Sequence, residues 1–194
     1  MSIYSPFIYI PERSKEVLKK SEQYLIDNPD IKEKICELGW CYHSIGKSIP
    51  HTDENLWSGH FFPYTESSDE LHISFNLMMF GLYKQAFMSL RSALEVGMLS
   101  VYYNINDNGH EAVRQWLESK DTWEANTPRS NKIWQILRKN SNIKQFDDEF
   151  NLKGEFESLS FLHNYVHTKG YKYSNRLGMF KSNYQTFEEK ILLK

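Results

Sequence analysis

The chain has 194 residues, 40% of them hydrophobic and 15% aromatic, which is enough large apolar surface for one core and excludes wholesale disorder. Lys plus Arg number 23 against 25 Asp plus Glu, a formal charge of −2, so no global field draws the protein to nucleic acid or to an anionic membrane; a local basic patch is still compatible with that balance. Two cysteines, Cys36 and Cys41, are too few for a disulfide scaffold and suggest a reducing compartment.

The opening MSIYSPFIYIPER lacks a basic n-region, and Pro6 and Pro11 interrupt its apolar run, so it reads as a poor signal peptide and the expected location is the cytoplasm. A first helix is predicted from Ser14, taken as its N-cap, to about Ile26, closed by Asn28-Pro29-Asp30. A second follows from about Asp30 to Gly46, with Ile31, Ile35, Leu38 and Tyr42 on one stripe. Cys36 and Cys41 do not share a face well and are read as core or half-buried thiols. Residues 47–68 read as a loop anchored by Trp57, Phe61, Phe62 and Tyr64, ordered as a lid.

The strongest signal is central. Ser67-Ser68-Asp69-Glu70 resembles a capping box, and no proline interrupts Leu71 to about Asn104. At 100° per residue Met79, Tyr83, Ala86, Leu90, Ala93 and Gly97 share a broad apolar face. Lys84, Arg91 and Glu95 fall within about 40° of each other at its edge, and their charge argues against a membrane span. One long central helix, about 69–104, is therefore expected. A short helix around Val113, Trp116 and Leu117 follows, then one opened by Thr127-Pro128, one from about Glu155 to His167 ended by Lys169-Gly170, and a terminal helix from Phe187 to Leu193. The predicted architecture is all-α: a single bundle of about five to six helices spanning 1–194.

Three groups of residues carry chemical potential. His163 and His167 stand at i and i+4, where neutral imidazoles bind a metal or shuttle protons. Asn164 occupies the place where a zincin needs its glutamate, which excludes that protease reading. No Cys or carboxylate stands at a supporting spacing, so no bound metal and no cofactor is expected. The plainer alternative is a pair of partly exposed helix histidines.

Arg91 and Glu95, also at i and i+4, form either an ordinary surface pair or a half-buried guanidinium able to grip a phosphate. Two stretches are basic and free of acids. One holds Arg129, Lys132, Arg138, Lys139 and Lys144; the other holds Lys169, Lys172, Arg176 and Lys181, interleaved with Tyr171 and Tyr173. Such a mixture suits single-stranded nucleic acid through phosphate contacts and base stacking, or it is a solvated surface over packed tyrosines.

Gly81-Leu82-Tyr83-Lys84-Gln85-Ala86, Leu90-Arg91-Ser92-Ala93-Leu94-Glu95, Leu159-Ser160 and Tyr165-Val166-His167-Thr168-Lys169-Gly170, in that order, resemble divergent bacterial members of the HEPN superfamily (higher eukaryotes and prokaryotes nucleotide-binding) over roughly 69–170. The resemblance implies a helical bundle that often dimerises. It also implies a metal-independent endoribonuclease of a toxin–antitoxin or phage-defence system, with an antitoxin or another defence protein as partner.

In that pattern His167 is the catalytic histidine. The family's arginine would stand at 160–162, where this chain has Ser160, Phe161 and Leu162; His163 and Asn164 supply polar groups, and Arg91 would supply the cation. Three functions follow as expectations. The first is an RNA-directed nuclease using His167, His163, Asn164, Arg91 and Glu95, with RNA held by Lys169, Lys172, Arg176, Lys181, Tyr171 and Tyr173. The second is a non-catalytic module that self-associates as a homodimer, and the third is a metal site on the histidine pair.

Overall fold

The structure is a computed structural model that describes residues 11–50, 52–106, 110–118, 128–167, 173 and 187. Every regular element among the described residues is helical. In chain order they are α1 (Pro11–Asp27), α2 (Pro29–Lys47), α3 (Asp53–Leu56), α4 (Phe62–Met79), α5 (Tyr83–Asn106), α6 (Glu111–Leu117), α7 (Ser130–Leu137), α8 (Ser141–Phe150), α9 (Leu152–Ser158) and α10 (Leu162–His167), with a 3-10 turn at Leu159–Phe161 before α10. The protein is an all-α bundle, divided more finely than its sequence suggests.

The long central helix expected at 69–104 is two helices folded back on each other. Gly81 adopts φ 73°, a left-handed conformation that glycine enters without a Cβ penalty. The amide of Gly81 donates to the Met78 carbonyl (2.9 Å) and that of Leu82 to the Leu77 carbonyl (2.9 Å), the crossed pair of a Schellman motif. The chain therefore reverses, and α4 and α5 form an antiparallel hairpin.

Small residues line its seam, and serines stitch it. Ser67 donates to the Ala93 carbonyl (2.7 Å), Ser74 to the Ala86 carbonyl (2.8 Å) and Ser89 to the Glu70 carbonyl (3.0 Å). Each buried hydroxyl is satisfied across the seam, which fixes the register. Gly97 permits a close approach, since a Cβ there would crowd Ser67 and the Tyr42 hydroxyl.

Ser67 is thus a seam donor and not a cap. α4 starts at Phe62 with Pro63 in its first turn, so most of the expected 47–68 loop is helix, including α3, which Thr52 caps by accepting from the Asn55 amide (3.2 Å).

α1 lies against α2 and α4. Its buried stripe is Ser14, Val17, Ser21 and Tyr24, so Ser14, expected as a cap, is interior. Ser21 donates to the Met79 carbonyl (2.9 Å) at the end of α4. Phe187, from the expected terminal helix whose other residues lie outside the described ones, sets its ring 5.9 Å from Tyr24.

None of the residues of α2 is buried, and Cys36 and Cys41 are exposed, not core thiols. Both lie off the Ile31–Ile35–Tyr42 face with which α2 meets the bundle. An aliphatic cluster of Leu99, Val113, Ile133 and Leu137 with Tyr103 joins α5, α6 and α7.

α8, at 141–150, has no counterpart among the expected helices. Asn140 caps it, accepting from Asn142 and Ile143 (3.0 and 3.3 Å), and its one buried residue is Asp147. That carboxylate accepts the Lys153 amide (2.7 Å) and pairs with the Arg138 guanidinium (3.1 Å), tying α7, α8 and α9 together.

Candidate functional site

α10 is short, and its placement depends on aromatic packing. Leu162 and Tyr165 point inward and are buried. Tyr165 stacks on Phe87 of α5 (4.7 Å) and meets Tyr173 edge-on (4.9 Å). Burial, followed by Tyr173, pushes the Tyr165 hydroxyl pKa upward, so the phenol is neutral and acts as packing. With Leu162 and Tyr165 facing the bundle, the i, i+4 relation puts His163 and His167 side by side on a flank, rings 4.3 Å apart.

That flank borders a cleft of about 810 Å³ walled by α5, the start of α7 and the α9–α10 segment. Arg91, Glu95, Arg129, Ser130, Asn131, Glu157, Ser160 and His163 supply its polar lining, over a floor that includes Leu99, Ile133 and Leu162. Arg91 is 21% exposed and directs Nε (3.0 Å) and Nη2 (2.7 Å) to one oxygen of Glu95, Oε1. The carboxylate therefore occupies the Nε–Nη2 edge of the guanidinium and fixes it on the cleft wall.

Of the five expected catalytic residues, Arg91, Glu95 and His163 share this cleft. His167 is exposed and reaches it through its contact with His163; Asn164 is half-buried and is not part of the wall. Among the expected RNA-binding residues, Lys169, Tyr171, Lys172, Arg176 and Lys181 lie outside the described residues. Tyr173 is buried in the aromatic cluster with Tyr83 and Tyr165, so its ring serves the core and not base stacking. Arg129 is the cationic residue missing from the expected site; its signal was the acid-free run, which did not distinguish it from Arg138. The latter is committed to Asp147 and Asp148 (3.1 Å each). Trp116 also lines the cleft, and nothing in its amphipathic helix marks it.

A second cleft, about 650 Å³, lies between α2, α3 and α4, with His43, His60, His72, Lys47, Asp53 and Asp69 on its walls. His60 Nδ1 faces the Asn104 amide. Burial, aided by nearby His110, holds the His60 pKa below the ordinary imidazole value. Among the described residues no group of three or more His, Cys, Asp or Glu side chains is arranged to hold a metal, and no helix is long and apolar enough to cross a membrane. Comparison with models of protein families, with curated proteins and with solved structures gives no match to this chain.

Proposed function

We propose that this is an HEPN-like, RNA-directed protein whose cleft between α5, α7 and α10 takes a phosphodiester of single-stranded RNA and cleaves it without a metal. The observation that carries the reading is the meeting of Arg91, Arg129 and His163 on one wall system, from three separate parts of the chain. Arg91 fills the role of the arginine that the HEPN pattern places beside the histidine and that this chain lacks at 160–162. Permanent guanidinium charge suits phosphate, and imidazole suits proton transfer near neutrality.

The chemistry follows from those groups. His167, in ring contact with His163, takes the proton of a ribose 2′-hydroxyl. The 2′-oxygen bonds to the adjacent phosphorus while the bond to the 5′-oxygen breaks. Arg91 balances the charge that builds on the non-bridging oxygens, and Glu95 keeps its fork oriented. His163, protonated beside the phosphate, gives its proton to the departing 5′-oxygen. The products are a 2′,3′-cyclic phosphate and a 5′-hydroxyl end.

The setting that goes with this reading is a bacterial defence or toxin–antitoxin system in the cytoplasm, with an antitoxin or defence protein as regulator. Incubating end-labelled single-stranded RNAs of varied sequence with the protein in EDTA tests it. Cleavage leaving cyclic-phosphate ends, lost in His163→Ala and His167→Ala, is the expected result. Binding without cleavage would leave a non-catalytic RNA-binding bundle, and neither binding nor cleavage would sink the nucleic-acid reading.

A further inference from the structure

α2 carries a second feature, independent of the RNA reading and outside the 69–170 segment that bears the HEPN resemblance. Glu33, Cys36, Trp40, Ser44 and Lys47 recur at intervals of three and four, which places them on one stripe about 80° wide, and all five are exposed. Trp40 is 63% exposed, an unusual position for so large an apolar ring. It is held ready: the His43 ring meets it edge-on at 5.8 Å, and the Lys47 ammonium lies 5.5 Å from its centroid. A fixed, exposed tryptophan is the kind of residue that anchors interfaces.

The charges around it have a polarity. Glu33 and Glu37 precede Trp40, and His43 and Lys47 follow it at the same spacings. A two-fold axis through Trp40 therefore sets Glu33 of one copy against Lys47 of another, Glu37 against His43 and Cys36 against Ser44. The stripe is complementary to itself in antiparallel orientation, the requirement of an isologous contact. We infer that α2 is a self-association surface and that its occupant is the α2 helix of a second copy of this chain, packed antiparallel across Trp40. One helix pair buries less than the ~800 Å² per partner of a standard interface, so the dimer is weak and reversible.

Sedimentation equilibrium of the full chain across the micromolar range tests this. A concentration-dependent monomer–dimer equilibrium is expected, weakened about tenfold or more by Trp40→Ala. Lys47→Glu and Glu33→Lys should each weaken it, and the two together should restore it, since the exchange regenerates the pairing with its sign reversed. All three positions face solvent, so helix content and melting temperature should hold. A protein that stays monomeric at every concentration, its α2 covered by its own chain or by nothing, overturns the inference. So does a dimer insensitive to Trp40→Ala, or a double variant no better than the single ones.

Discussion

The two clefts hold similar numbers of titratable side chains, yet their chemistry diverges. The α2–α3–α4 cleft has three histidines, but its fixed charges are Lys47 against Asp53 and Asp69, one negative charge in excess, and it has no guanidinium. In the α5–α7–α10 cleft the fixed charges of the lining balance, with two arginines against Glu95 and Glu157. Both carboxylates there are engaged: Glu95 by Arg91 at 2.7 Å and Glu157 by Lys153 at 3.4 Å. A count of histidines would choose the first cleft. The proposed phosphodiester site is the second because guanidinium groups line it and none lines the first.

The sharpest way to break that contrast is to remove one imidazole from each side. His163→Ala should lower RNA cleavage by about 10²-fold or more, the usual worth of a positioned acid or base. His72→Ala, in the other cleft, should leave it unchanged, and single-turnover rates compare the two directly. The wild-type rate should rise and then fall with pH, because one imidazole must be neutral and the other protonated; a rate independent of pH would count against the pair. Next in size is Arg91→Ala, which should cost about 10²-fold in rate through lost charge stabilisation. Arg91→Lys should recover part of it, since an ammonium keeps the charge without the fork.

Asp147→Ala tests the frame of the favoured cleft. Losing the Lys153 amide bond and the Arg138 pair should cost about 2 kcal/mol of stability, read in a denaturant titration. The α2–α3–α4 cleft has a smaller signature of its own. His60 is held below its ordinary pKa, so the folded state binds fewer protons there than the unfolded chain. Its contribution to stability is present above pH 6.5 and is lost as pH falls through that value towards the folded pKa. His60→Gln should flatten the fall in melting temperature over that window. Arg129→Ala should give the smallest effect, a few-fold loss of RNA affinity with a salt dependence shallower by about 0.7, one phosphate contact on a single strand.

Much of the bundle was legible because α1, α2 and α5 announce themselves by apolar spacing. The central reversal was not, and the reason is specific. Phe80-Gly81-Leu82 keeps helical periodicity in phase, so nothing in the spacing distinguishes a glycine inside a helix from one that turns the chain. Ser67 misled for a related reason: a serine two residues before an acidic pair reads as a cap, yet its hydroxyl is a buried donor to Ala93. Arg91 and His163, which line one cleft, were singled out in the sequence by their i, i+4 pairs with Glu95 and His167. Arg129 was hidden in a run of like charges, because only tertiary structure shows that Arg138 is consumed by acids while Arg129 borders the cleft. Tyr173 failed for the opposite reason, since a tyrosine among lysines gives no sign of whether its ring faces solvent or a neighbouring aromatic.

The central claim is that RNA enters the arginine-bearing cleft and not the histidine-rich one. The most direct measurement follows the imidazole resonances of all the histidines by NMR while a short, non-cleavable single-stranded RNA analogue is added in EDTA. Shifts confined to His163 and His167, with His43 and His72 unmoved, are the expected result. Shifts at His43 and His72, or at no histidine under conditions where the RNA is shown to bind, would contradict it.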